Sequence, residues 1–236
     1  MARLPRLAAS GHVHLLRQRG NNGQAVFVDA DDRERFLVSL RDAALAHGVG
    51  IHAYALADDS VTLLATPDSA IGLSRMMQAL GRGYVAAFNR RHGRSGTLWE
   101  GRFRSAVVEP ETRLLEAMVF VETGATEAPT TAGDPLPARW SSARHHLGLG
   151  NDPLVADHPH YWTIGNTPFE REAVHRRLLE RGLDASARKA IAAALQGGWA
   201  LGSEGFAAGL AEHVGRRVRP RQRGRPRKVE RKVGSD

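Results

Sequence analysis

Three groups of residues in this 236-residue chain are of types that do chemistry. The first is histidine. His12-Val13-His14 puts two imidazoles on one face of a strand, as in a metal pair, although ordinary, partly exposed strand histidines are the simpler reading. His145 and His146 adjoin in a segment anchored by Trp140, but neighbouring helical side chains diverge by about 100°, which favours packing over ligation. The second group is oxygen. Asp58, Ser60 and Thr62 alternate onto one face of a strand and would make, at most, a weak site for a hard cation.

The third group is arginine. From Arg75 to Arg104 there are seven arginines and a single acid, Glu100. Arg90, Arg91, Arg94 and Arg102 flank the glycine-rich turn 92–97, where backbone can approach phosphate. Trp99 beside it is placed either to stack on a base or to fill the core. Between Arg216 and Lys228 lie eight basic residues and no acid, among them Arg223, Arg225 and Arg227. Within that run Arg223-Gly224-Arg225-Pro226 resembles an AT-hook core, which lies in the narrow minor groove of A·T-rich duplex.

The elements that must position these residues centre on 51–67. Two apolar, β-prone runs are joined there by Asp58-Asp59, so a hairpin at the centre of a sheet is predicted. A first strand is expected over 12–18, closed by turn residues 19–23. Helical periodicity follows over 31–47, 69–91 and 110–123, and a further strand begins at Leu98. The order is βαββαβ plus a helix: an α+β, ferredoxin-like antiparallel sheet with packed helices. The proline-rich stretch 124–137 reads as a connector. Thr167-Pro168-Phe169-Glu170 is a capping box, and Asp184 and Ser203 are caps of two further helices. Those last two helices, joined by 197–202, read equally as a helix-turn-helix or as a packing appendage. The expected organisation is an α/β domain over 1–126, a connector over 127–165, a small helical subdomain over 166–215 and a basic tail over 216–236.

With no cysteine there is no disulfide framework and no thiolate metal site. No apolar run reaches the roughly 18 residues needed to span a bilayer, so a cytoplasmic protein is expected, with association to the nucleoid as an option. The net charge of +8 is localised, because residues 1–215 hold 23 basic and 23 acidic groups. A basic excess gathered at one end points to DNA through phosphate neutralisation; the alternative is an inert solvated terminus.

Several motifs together resemble the REP-associated tyrosine transposases, single-tyrosine members of the HUH superfamily. They are Arg17-Gln18-Arg19-Gly20-Asn21, His52-Ala53-Tyr54, Phe88-Asn89-Arg90-Arg91-His92-Gly93 and Gly96-Thr97-Leu98-Trp99-Glu100-Gly101-Arg102. Trp140-Ser141-Ser142 and Gly224-Arg225-Pro226-Arg227-Lys228 extend the match toward the C-terminus. The resemblance implies Mg²⁺ or Mn²⁺ held by two strand histidines and a helix polar group, and a tyrosine that attacks the scissile phosphate. Here the histidine positions are Ser60 and Thr62, the tyrosine position is Phe120, and the helix ligand position is Gly124. None of the four can do the family's chemistry, so no intact catalytic set, no resident metal and no cofactor are expected. What the resemblance leaves is binding of hairpin or single-stranded DNA, with Arg17, Arg19, Asn21, Arg90, Arg91, Arg94, Trp99 and Arg102 as contacts and the tail adding affinity for duplex. The alternative is a metal-dependent nicking enzyme with a displaced site that recruits His12, His14 or Tyr84.

Overall fold

The structure is a computed structural model that describes residues 6–124 and 139–220. Its centre is a five-stranded sheet of β1 (Val13–Arg19), β2 (Val49–Ala57), β3 (Ser60–Pro67), β4 (Arg104–Val108) and β5 (Ala200–Leu201), in the order β2-β3-β1-β4-β5. The first four pair antiparallel, in the ferredoxin-like order expected. β5 runs parallel to β4, so the sheet is mixed. This strand corrects the helix-turn-helix reading, because the 197–202 connection is a sheet edge.

Helices cover both faces of the sheet. On one side, α1 (Ala30–Ala46) and α2 (Gly72–Arg91) bury Phe36, Leu40, Met76, Leu80 and Tyr84 against Leu16, Val61 and Leu63. Their stripes recur at three- and four-residue spacing, which puts them on one helix face. On the other side, α3 (Pro110–Thr123) and α6 (Ala185–Gly197) bury Leu114, Met118, Ile191 and Leu195 against Leu15, Leu64, Ala106 and Val108. Alternation along β3 decides which residue meets which layer: Val61 and Leu63 face α1 and α2, Leu64 faces α3. Since α6 shares this core, the expected helical subdomain is continuous with the α/β layer.

Local signals set the boundaries. Asp29 caps α1 by accepting from the Asp32 N–H, and the Thr167–Glu170 capping box opens α5 (Pro168–Arg181). Asp184 and Ser203 cap α6 and α7 (Glu204–Val214). The predicted strand from Leu98 begins only at Arg104, because Gly101 at φ 62° bends the chain through a loop first. Trp140-Ser141-Ser142 leads into the single turn α4 (Ala143–His146) and pairs with the outer side of β2: the Leu56 N–H donates to Trp140 O, and the Ser142 N–H to Tyr54 O.

Two expectations change. The segment from Arg216 to Pro220 is folded back rather than being the start of a free tail. Val218 is buried with Leu7, Val107 and Leu210, and Arg219 donates to the carbonyls of Gly202 and Ser203. His14 is fully buried, not partly exposed, and lies in β1 while His12 precedes the strand. One ring nitrogen of His14 accepts from the Ala9 N–H and the other bonds His12 O, so its nitrogens are occupied by backbone.

Two measurements test this packing. Val218→Ala should lower the unfolding free energy in urea by about 1–3 kcal/mol, the loss for a buried Val side chain; an unchanged midpoint would return residues 216–220 to solvent. Burial pushes the His14 imidazole down to about 4. The unfolded chain therefore takes up a proton near pH 6.5 that the folded chain refuses until about pH 4. Stability should fall as pH drops through that window, by at most about 3 kcal/mol from this one group, and His14→Gln should remove that share of the slope.

Candidate nucleic-acid interface

The four positions at which the motif resemblance implies a catalytic set lie on or beside the α3 face of the sheet. Ser60 and Thr62 are both buried on β3, opposite Arg19 and Arg17 of β1. Ser60 Oγ donates to Asp59 Oδ1 at 2.7 Å and accepts from Arg17 Nη2 at 3.4 Å. Phe120 is half-buried and packs its ring against the same core, and Gly124 caps the end of α3. The oxygen trio Asp58, Ser60, Thr62 does not converge. Asp58 belongs to the two-residue turn, where strand alternation lapses, and its carboxylate turns to Arg33 of α1.

The arginines divide according to what they touch. Arg91 is a structural clamp at the end of α2. It pairs with Asp29 at 2.7 Å and Asp32 at 2.5 Å on the first turn of α1, and His92 reaches Asp32 at 2.9 Å. The Arg91 guanidinium and the Asp32 N–H hold the Asp29 carboxyl down at about 2, so that carboxylate stays ionised at neutral pH. Arg94 donates to Gln24 Oε1 at 2.5 Å, and Arg19 pairs with Asp59 at 2.9 Å. Asn21 gives its N–H to Leu98 O, and Gly20 forms an isolated bridge with Trp99. Thus the Arg17–Asn21 stretch and the 96–100 stretch are two sides of one joint.

The side chains of Arg75, Arg90 and Arg102 are exposed and make no hydrogen bond or ion pair among the described residues. Two of them converge. A cleft of about 510 Å³ runs between α2 and the 99–103 loop, lined by Arg6, Arg75, Arg102, Gln18, Trp99 and Phe103 among others, with no carboxylate in its wall. Arg6 lies 3.8 Å over the Phe103 ring. Gln18 Nε2 donates to Gly101 O at 3.1 Å, which fixes the loop that presents Arg102. Trp99 packs on the core, its ring meeting Phe36 at 6.4 Å and Tyr84 at 6.3 Å, yet it is only half-buried and also lines the cleft. Arg90 sits apart, in a groove it shares with Glu34 and Asp32. Arg223, Arg225 and Arg227 lie outside the described residues.

The tyrosines are all interior. Tyr54 donates to Asp152 at 2.7 Å, Tyr84 to Val26 O at 2.6 Å and Tyr161 to His146 O at 3.3 Å. Burial pushes all three phenols up. Tyr161 packs against the rings of His146 and His175, beside a polar network that sequence reasoning missed. At its centre is Glu122 of α3, fully buried, whose carboxylate accepts at 2.6 Å from each of Ser142 Oγ, His146 Nδ1 and His175 Nε2. Burial alone would raise the Glu122 carboxyl, but the His146 and His175 imidazoles outweigh it and hold it well below the usual range. The one local signal was an acid set among Met118, Val119 and Val121 on an otherwise apolar helix face.

No helix among the described residues is long and apolar enough to cross a membrane. No family model matches the chain, and no curated protein matches it. Among solved structures it is similar to a REP-associated tyrosine transposase bound to a REP hairpin, at 12% identity and a TM-score of 0.47, over 68% of this chain and 93% of that one. It is also similar to a candidate transposase from Deinococcus radiodurans R1, at 22% identity and a TM-score of 0.34, over 48% of this chain and 91% of the other.

Proposed function

We propose that this chain is a DNA-binding protein related to the REP-associated tyrosine transposases, that it binds hairpin or single-stranded DNA, and that it does not cut it. The observation that carries the binding half is the cleft between α2 and the 99–103 loop. Arg75 and Arg102 bring positive charge to a wall without carboxylates, and the half-buried Trp99 adds aromatic surface. That is the combination single strands need: cations along the backbone and π-faces for unstacked bases. The Phe-Asn-Arg-Arg-His-Gly and Gly-Thr-Leu-Trp-Glu-Gly-Arg motifs, on which the family resemblance rests, build the end of α2 and this loop. The basic run beyond Pro220 adds phosphate contacts and, through Arg223 and Arg225, a preference for A·T-rich duplex.

The loss of cleavage is supported by the residues at the reaction centre. Phe120 carries no oxygen to attack phosphorus, and Ser60 and Thr62 are neutral hydroxyls, poor ligands in place of imidazole. A nickase with a displaced site would need another tyrosine. The chain has three, exposed to only 4%, 3% and 3%, with every hydroxyl bonded internally.

Fluorescence anisotropy against REP-like hairpins, scrambled hairpins and A·T-rich duplex tests the binding. Arg75→Ala and Arg102→Ala should each weaken single-strand binding and flatten the slope of log affinity against log salt by about 0.7 per lost phosphate contact. Equal slopes for wild type and both variants would remove the cleft from the interface. Deleting residues 221–236, which spares Val218, should flatten the slope on duplex by about 0.9 per contact. For the chemistry, incubation with a hairpin and Mg²⁺ or Mn²⁺ should give no denaturant-resistant protein–DNA band; such a band, lost on mutating one tyrosine, would make the protein a nicking enzyme.

A further inference from the structure

Beyond the Glu122 network, His146 turns its second nitrogen toward another carboxylate. His146 Nε2 lies 3.6 Å from Asp157 Oδ1, and His145 Nε2 lies 3.6 Å from the same oxygen. Both distances are too long for a hydrogen bond. His146 Nε2 and Asp157 Oδ1 are each buried, and neither has a hydrogen-bond partner among the described residues. His146 is fully buried, while His145 and Asp157 keep about a fifth to a quarter of their side chains exposed. The three ligand atoms fall within 4.8 Å of one another. A spacing of this kind belongs to ligands of one ion: four donors at about 2.1 Å in a tetrahedron stand about 3.4 Å apart.

We propose that His145 Nε2, His146 Nε2 and Asp157 Oδ1 bind one late first-row divalent metal, of the Zn²⁺ or Co²⁺ class, with the fourth position open to water. Two imidazoles and a carboxylate are the donor set such ions take, and the exposed sides of His145 and Asp157 supply the entry path. The surroundings are those of a metal-bound histidine. His146 Nδ1 donates to Glu122, which fixes the ring as an outer-shell carboxylate does and turns Nε2 toward Asp157, where the ion would take the place of the Nε2 proton. Asp157 is fixed likewise, its Oδ2 accepting from Trp162 Nε1 at 3.2 Å and leaving Oδ1 for the ion. Divergence of adjacent helical side chains does not separate the two imidazoles, because α4 is a single turn and their rings meet edge-on at 5.3 Å. His145 Nδ1 is 3.2 Å from the Asp152 N–H. Metal at Nε2 makes that nitrogen a donor, so this long contact opens on loading. The site stands apart from the DNA cleft and does not depend on it.

The test uses full-length chain freed of metal with a chelator and titrated with Co²⁺, followed by competition with Zn²⁺ in a calorimeter. One equivalent should bind and give the intense visible bands of low-coordinate Co²⁺. His145→Ala and Asp157→Asn should each weaken binding at least tenfold and abolish those bands, with circular dichroism showing the fold retained; His145→Gln, at a partly exposed ligand, serves if the alanine variant unfolds. His175→Gln should leave the bands in place. Binding that survives Asp157→Asn but is lost in His175→Gln would overturn the proposal by moving the ion to Glu122. An absence of stoichiometric Co²⁺ binding would overturn it as well.

Discussion

A carboxylate sealed from water is tolerated only when donors answer it on every side. Glu122 imposes that constraint here. Its two oxygens are met by a serine before α4, a histidine within α4 and a histidine on α5, so the 142–146 stretch and α5 are both drawn to α3 around one charge. The same demand reaches the sheet: Ser142 Oγ lies against both the Glu122 carboxylate and the Tyr54 backbone, so satisfying the acid also holds the Trp140–Ser142 stretch along β2. Burial works against the charged His146 imidazole, but the Glu122 charge beside it outweighs burial and raises His146 to about 9, and the pair forms a single electrostatic unit.

The opposite side of the sheet is organised by an exposed counterpart of the same rule. Arg91 gathers the carboxylates at the start of α1, where they also favour the positive end of that helix. This joins the end of α2 to the start of α1 and leaves the arginines nearer the cleft uncommitted. The division between arginines that build and arginines that remain available is what gives the surface its polarity.

Much of the fold was legible in the sequence because periodicity and caps are local. The hairpin, the three long helices of the α/β layer, the Thr167 capping box and the Asp184 and Ser203 caps stand where their patterns put them. The strand β5 was illegible, since two residues between glycines carry no period and owe their conformation to β4 alongside. The site was legible only in part. Trp99 and Arg102 were singled out from motif and charge, but that Arg91 and Arg94 bond internally depends on Asp29, Asp32 and Gln24, some 60 to 70 residues away. His145 and His146 were noticed, whereas Glu122, Asp157 and His175 join them only through tertiary contact, which spacing does not encode.

The strand-like pairing outside β2 has a consequence for solubility. An unpaired sheet edge is a template for another chain, and natural sheets blunt it by cover or brevity. Here Trp140–Ser142 and the Ala156 N–H, which donates to Ile51 O, occupy the free side of β2. At the far margin β5 is two residues long, and its Ala200 N–H is taken by Val218 O. Both margins are therefore closed by the chain's own irregular segments, and self-association by strand addition would first have to peel one of them away. The segment at β2 is the one the Glu122 carboxylate holds, so an acid in the protein interior also guards against cross-β growth at its surface.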